Sequence, residues 1–210
     1  MIKKHLKILI LTSVVILLPI LAGLFLWDRL PEEVPIHWNM NGEADQYSSK
    51  LFAVICMPLL FVALQWVAVL VTSADPKRQN QSEKVKHLVF WLVPVISILI
   101  PAFMYFGALG IAVRIDILLP ILLGLLFVAI GNYLPKCRQS YTIGIKLPWT
   151  LANEENWNRT HRFAGWVWAF GGILLMVFGF FQIHVAIIAV ATVMVLFPIV
   201  YSFALYRKGV

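Results

Sequence analysis

Charge-free apolar runs alternate with short polar gaps along the whole chain. A helix rising 1.5 Å per residue needs about 20 apolar residues to cross ~30 Å of hydrocarbon. Ile8–Trp27, Leu51–Ala74, Leu88–Val113 and Ile117–Pro135 contain no Asp, Glu, Lys or Arg and are of about that length. Phe163–Tyr206 is equally free of charge but too long for one crossing, and the polar pair Gln182 and His184 near its middle divides it in two. The pattern predicts an all-α membrane protein, a six-transmembrane-helix bundle. Lys3, Lys4 and Lys7 precede the first run as they would in a signal peptide. That run is too long for a signal-peptide core, however, and no A-x-A-like site follows it, so it reads as a retained span.

Composition sharpens this picture. The 210 residues are 61% hydrophobic and 13% charged, against roughly 45–50% and about 25% in soluble domains. An ordinary soluble globule and a disordered chain are both excluded. The net charge of +7 is confined to the gaps, so it reads as topology and not as a surface for direct nucleic-acid binding. Lys3, Lys4, Lys7, Lys77, Arg78, Lys84, Lys86, Lys136, Arg138, Lys146, Arg159, Arg162, Arg207 and Lys208 fall on one side of the predicted spans. Only Arg29, Lys50 and Arg114 fall on the other. The excess places both termini in the cytoplasm. Two segments follow: residues 1–74, a helical hairpin with an extracellular loop 28–50, and residues 75–210, a core of four spans with a cytoplasmic loop 136–162. Cys56 and Cys137 imply no disulfide framework.

The spans offer few polar groups. Pro19, Pro58, Pro94, Pro101, Pro120 and Pro198 read as kinks that shape the bundle, or as hinges that respond to a ligand. Gly165, Gly172 and Gly179, with Ala169, make a small-residue stripe suited to packing inside the bundle, a homodimer seam being the alternative. No span holds Asp, Glu, Lys or Arg, which argues against an ion-coupled transporter. Gln65 reads as an interhelical hydrogen bond or as part of a pocket wall.

The outer loop runs from Pro31 through Val34-Pro35-Ile36-His37-Trp38, alternating like a short strand. Asn39 to Gly42 then gives a turn signal, because Asn and Gly tolerate positive φ. His37, Glu43 and Asp45 together are a poor match to metal-ligand spacing, so a hydrogen-bonded His37 is expected and no metal. Trp38 and Tyr47 suit an interfacial position. Lys50 is expected to pair with Asp45 or to meet lipid headgroups.

In the inner loop, Asn153 is a good N-cap, followed by Glu154 and Glu155 in the first turn of a helix that continues into the fifth span. Trp157, His161, Gly165 and Trp168 then share a face. Lys136, Arg138, Lys146, Arg159 and Arg162 make the edge basic, suiting membrane lipids or a cytoplasmic protein. There is no H-E-x-x-H, G-x-S-x-G, P-loop or dinucleotide fingerprint, so no cofactor or catalytic residue is expected.

Two stretches resemble the SdpI family of bacterial membrane proteins. One is Pro35-Ile36-His37-Trp38-Asn39, Gly42, Asp45 and Ser49-Lys50, similar to the small domain that commonly precedes the family's core. The other is Gly131-Asn132, Ile143-Gly144-Ile145-Lys146-Leu147-Pro148-Trp149-Thr150-Leu151, Trp157 and Thr160-His161-Arg162, similar to the core signature. The family pattern shows Arg-Thr before Pro-Trp-Thr, where this chain has Lys146-Leu147. The resemblance implies a multi-pass protein of the bacterial plasma membrane. It implies immunity to a secreted toxic peptide and, in some members, sequestration of a transcriptional repressor at the cytoplasmic face. On this reading Pro35, His37, Trp38, Asn39, Gly42, Asp45 and Lys50 face the toxin, while Asn132, Gly144, Lys146, Pro148, Trp149, Thr150, Trp157, His161 and Arg162 face the cytoplasmic partner. The rival readings are a small-molecule or lipid transporter using Gln65, and a membrane enzyme with a metal on His37 or His161.

Overall fold

The computed structural model describes residues 2–39 and 41–210. Met1, and Met40 in the predicted turn, lie outside the described residues. The order is α1 (Ile2–Phe25), β1 (Glu33–Trp38), β2 (Ala44–Ser49), α2 (Met57–Ala74), α3 (Glu83–Ala108), α4 (Ile115–Tyr133), α5 (Pro148–Ala152), α6 (Glu154–Phe180) and α7 (His184–Arg207). Among the described residues six helices have the length and apolarity of membrane spans: His5–Phe25, Phe52–Ala74, Glu83–Ala108, Ile115–Lys136, Glu154–Phe180 and His184–Arg207. The chain is thus an all-α membrane protein with one small β-hairpin.

Two span limits depart from the apolar runs. α3 begins at Glu83, because polar residues make a good first turn at the membrane edge. It ends at Ala108 because Gly110, at φ 71°, closes the helix. The Gly110 N–H donates to Gly107 C=O at 3.1 Å and the Ile111 N–H to Phe106 C=O at 2.9 Å, which satisfies two terminal carbonyls. The same closure separates α6 from α7, with Gln182 at φ 55° in place of glycine. The Gln182 side-chain amide donates to Asp116 in the first turn of α4, which helps hold a backbone conformation that few non-glycine residues adopt.

The helices form two compact units. The first is Met1–Ser73 with His87–Ile115, and the second is Ala74–Lys86 with Asp116–Val210. The chain enters the second unit at Ala74, and from His87 α3 returns to the first. In the first unit Leu30, Val34, Ala53, Val54, Met104 and Tyr105 form the main core, and Leu9, Val69 and Phe90 a smaller one. Gly23 permits the close approach there: a methyl group on it would lie 2.6 Å from Val54 Cγ1 and 2.7 Å from Tyr105 Oη.

In the second unit the small-residue stripe of α6 lies against α4. Gly165 meets Pro135 and the Gly131 carbonyl, Gly172 meets Val128 and the Gly124 carbonyl, and Gly179 meets Pro120. A helix of the same chain therefore occupies the stripe, which corrects the alternative of a homodimer seam along it. Small residues are what let two backbones come this close where lipid supplies no hydrophobic drive.

The prolines show how kinks are tied down. Proline at position i leaves the carbonyl at i−4 without its helical N–H partner. For Pro94 that carbonyl belongs to Phe90, and Gln65 Nε2 donates to it at 2.9 Å. For Pro198 it belongs to Met194, and Trp168 Nε1 donates to it at 2.9 Å. The carbonyl freed by each of these two prolines is thereby bonded to a neighbouring helix, which fits the bundle-shaping reading. Gln65 is fully buried, and the same Nε2 also donates to Thr12 Oγ1 at 3.4 Å, so its NH2 group ties two neighbouring helices together. Replacing Gln65 by leucine should cost about 1 kcal/mol, read as a lower Tm of the purified protein in detergent. Thr192→Val, which removes only a hydroxyl bonded to Ile188 C=O of its own helix, should leave Tm unchanged.

Candidate functional site

The outer loop folds as an antiparallel β1–β2 hairpin. Asn39 builds its turn: Oδ1 accepts the N–H groups of Asn41 (2.9 Å) and Glu43 (3.1 Å), Nδ2 donates to Glu43 Oε2 (3.0 Å), and Gly42 takes φ 80°. His37 Nδ1 lies 2.6 Å from Asp45 Oδ1, with both side chains exposed. Val34 and Pro35 are buried, and Pro35 and the half-buried Trp38 pack over Gly107 of α3, where a methyl group would meet them at 3.2 and 3.1 Å.

Lys50 is the anchor of this cap. It is buried, yet its ammonium donates to the Trp27 and Leu30 carbonyls at 3.3 Å each and pairs with Glu32 Oε1 at 3.0 Å. It also stands 4.9 Å from the Trp27 ring centroid. The cation satisfies carbonyls of the turn that follows α1. The expected pairing of Lys50 with Asp45 or headgroups is corrected accordingly: Asp45 holds His37, and Lys50 faces inward. Of the residues assigned to toxin contact, His37 and Asp45 are the outward-facing pair, Asn39 and Gly42 shape the turn, and Pro35, Trp38 and Lys50 seat the hairpin.

The inner loop is as ordered as the cap. Trp157 and His161, one turn apart on α6, stack at 4.0 Å between ring centroids, and both are buried. Gly144, at φ 119°, passes over the two rings. His161 Nε2 accepts the Ile145 N–H at 2.9 Å, so Nδ1, 2.8 Å from Trp157 C=O, carries the proton and donates. The imidazole is therefore neutral and has both nitrogens committed. Trp157 Nε1 donates to Cys137 C=O at 2.9 Å. Burial pushes the Cys137 thiol up to about 11, which leaves it unreactive at neutral pH.

Pro148 opens α5 at its first turn, where a missing N–H costs nothing. Thr150 Oγ1 accepts the Leu147 N–H at 2.9 Å and donates to Ile145 C=O at 2.9 Å. Asn153 caps α6 as its position predicts, accepting from Glu155 (2.8 Å) and Asn156 (3.0 Å). The half-buried Trp149 donates to Ser202 Oγ at 3.0 Å and stacks on Tyr206.

Asp75 closes the loop, and the sequence reading passed over it. One oxygen accepts from Ser140 Oγ (2.6 Å), Tyr141 N–H (2.9 Å), Thr142 N–H (3.1 Å) and Thr142 Oγ1 (2.9 Å), and the other from Lys77 N–H (2.7 Å). Burial alone would raise this carboxyl, but the donors from Ser140, Lys77, Thr142 and Tyr141 outweigh it and hold the group below its ordinary value of 3.8. Lys77 bonds Gln139 Oε1, and Gln139 Nε2 donates to the carbonyls of Thr150 (3.1 Å) and Leu151 (2.9 Å). The available signal was local: Asp75 precedes a proline, and such pairs favour turns. Nothing in the spacing linked it to residues 140–142.

The predicted partner-facing residues divide in two. Asn132, Lys146, Pro148 and Arg162 are exposed. Thr150, Trp157 and His161 are buried with their polar atoms bonded inside the chain, so they hold the loop and do not present a surface. Gly144 and Trp149 also serve the packing. Among the described residues, no group of three His, Cys, Asp or Glu side chains is placed to hold a metal ion.

A multi-span helical membrane protein with a β-hairpin cap before its second span and a hydrogen-bonded loop before its fifth is the class that the fold and site define. Residues 136–202 match the SdpI/YfhL protein family, and residues 14–62 match the domain of unknown function DUF1648. It is 25% identical over 202 residues to Immunity protein SdpI of Bacillus subtilis (strain 168), with 94% of each chain covered. No solved structure matches it.

Proposed function

We propose that this chain is a non-enzymatic immunity protein of the bacterial plasma membrane that protects its cell from a secreted toxic peptide. The observation that carries the reading is the end-to-end similarity to Immunity protein SdpI. The basic gaps orient the hairpin outward, where a secreted peptide arrives, and the loop closed by Asp75 inward. Lys146, Pro148 and Arg162 then form the exposed inner edge that meets a cytoplasmic transcriptional repressor when the peptide is bound. For the peptide to signal, it must bind two conformations of the chain with different affinity.

Expression in a sensitive bacterium, followed by challenge with the toxic peptide, tests the reading. Survival should rise with the amount of protein in the membrane. Unchanged sensitivity at normal membrane levels overturns it. Retention of a repressor on membranes only when peptide is present tests the signalling part, and equal recovery with and without peptide overturns that part alone.

A further inference from the structure

The hairpin has one blocked edge and one open edge. The Lys50 N–H donates to Glu32 C=O at 2.9 Å, which fixes the phase of the ladder. Two residues along, Val34 and Ser48 are then a hydrogen-bonded pair, and Pro35 opposite Tyr47 is a non-hydrogen-bonded one. Pro35 therefore forfeits no ladder bond, and its ring lies where the outer edge of β1 would otherwise present an N–H. Tyr47, its opposite, directs both N–H and C=O away from β1 along the outer edge of β2. The sheet has only these two strands among the described residues, and Asp45, Gln46 and Tyr47 are exposed. β1 instead lies on the core through Val34 and Pro35. An open strand edge of this kind is a template for pairing with another chain.

The charge of the loop that carries the edge selects the occupant. Asp28, Glu32, Glu33, Glu43 and Asp45 are half of the ten carboxylates in a chain of net charge +7. Lys50 is buried and paired with Glu32, which leaves Arg29 as the exposed base of the loop. Strand addition supplies affinity through main-chain hydrogen bonds and specificity through side chains. An open edge on a strand that begins beside Glu43 and carries Asp45, in a loop with this acidic excess, suits an extended segment that carries positive charge.

Resting on the immunity reading, we propose that the outer edge of β2, centred on Tyr47, binds an extended cationic segment of the secreted peptide as a third strand. The test uses the full chain in nanodiscs of zwitterionic lipid and a labelled, end-blocked probe, Lys-Val-Lys-Val-Lys-Val. The probe should bind, and binding should weaken as salt rises. A backbone N-methylated probe of the same charge should bind about tenfold more weakly or worse, as should a Glu-Val-Glu-Val-Glu-Val probe. Equal binding of the N-methylated probe, or no binding of any, overturns strand addition without any mutation. Tyr47→Pro removes the outward N–H and spares the ladder, so it should abolish binding, while Tyr47→Phe should retain it. In the toxin challenge, failure of the unaltered chain to protect defeats the immunity reading. Protection by the unaltered chain and equally by Tyr47→Pro, at equal membrane levels, defeats the docking site alone.

Discussion

Replacing Gly144 by valine is expected to release the loop between α4 and α6. The glycine stands at φ 119°, which side chains with a Cβ rarely adopt. A methyl group there would also lie 2.5 Å from His161 Nε2 and 2.7 Å from two atoms of the Trp157 ring. Those rings are stacked and buried and cannot retreat without breaking the Ile145 and Cys137 bonds that they hold. Backbone strain and overpacking each cost about 1–3 kcal/mol, so the two together should lower stability by about 3 kcal/mol or more. The check is thermal unfolding in detergent together with near-ultraviolet dichroism, which reads the immobilised aromatic side chains, Trp157 among them. Gly110→Ala supplies the comparison: its φ is 71°, but nothing lies within 4 Å of the added carbon. It should cost only about 1 kcal/mol. Equal stability of Gly144→Val and the parent protein would refute the proposed seating of the loop.

The second large effect is expected at Asp75. Asparagine keeps the shape, but it removes the charge and turns one of two acceptor oxygens into an NH2, which must then face either the Lys77 N–H or the donors of residues 140–142. Hydrogen bonds to a charged group are each worth about 1.5–3 kcal/mol and are not additive, so a loss of about 2–4 kcal/mol is expected at neutral pH. The dependence on pH has a definite sign. Folding lowers this carboxyl below 3.8, so as pH falls the unfolded chain takes up the proton first. The contribution of Asp75 is complete above 3.8 and disappears as pH drops through the lower, folded value. The stability gap between the parent protein and Asp75→Asn should therefore be widest at neutral pH and close toward strongly acidic pH. A gap that is constant across that range would show that the ionised carboxylate is not what holds the loop.

How far these features were legible depends on the range of the interaction. The N-cap at Asn153 and the turn at Asn39 and Gly42 rest on contacts within a few residues, and local rules reach that far. Lys50 departs from the expectation because, besides Glu32, its partners are the Trp27 and Leu30 carbonyls about twenty residues away. Carbonyls leave no mark on sequence. His161, Trp157 and Thr150 were read as a surface because a motif records which residues recur, not whether they point outward or hold their own loop together. Asp75 went unread because its donors lie some 65 residues further on.

The sequence by itself determined the spans and their alternation across the membrane, because hydrocarbon length and the cost of burying charge act on each segment separately. The tertiary structure alone decided which prolines are capped, that the glycine stripe belongs to α4, and that Asp75, Gly144 and His161 form one clasp. Each of those is a bond between segments distant in the chain, and its existence depends on where folding brings them.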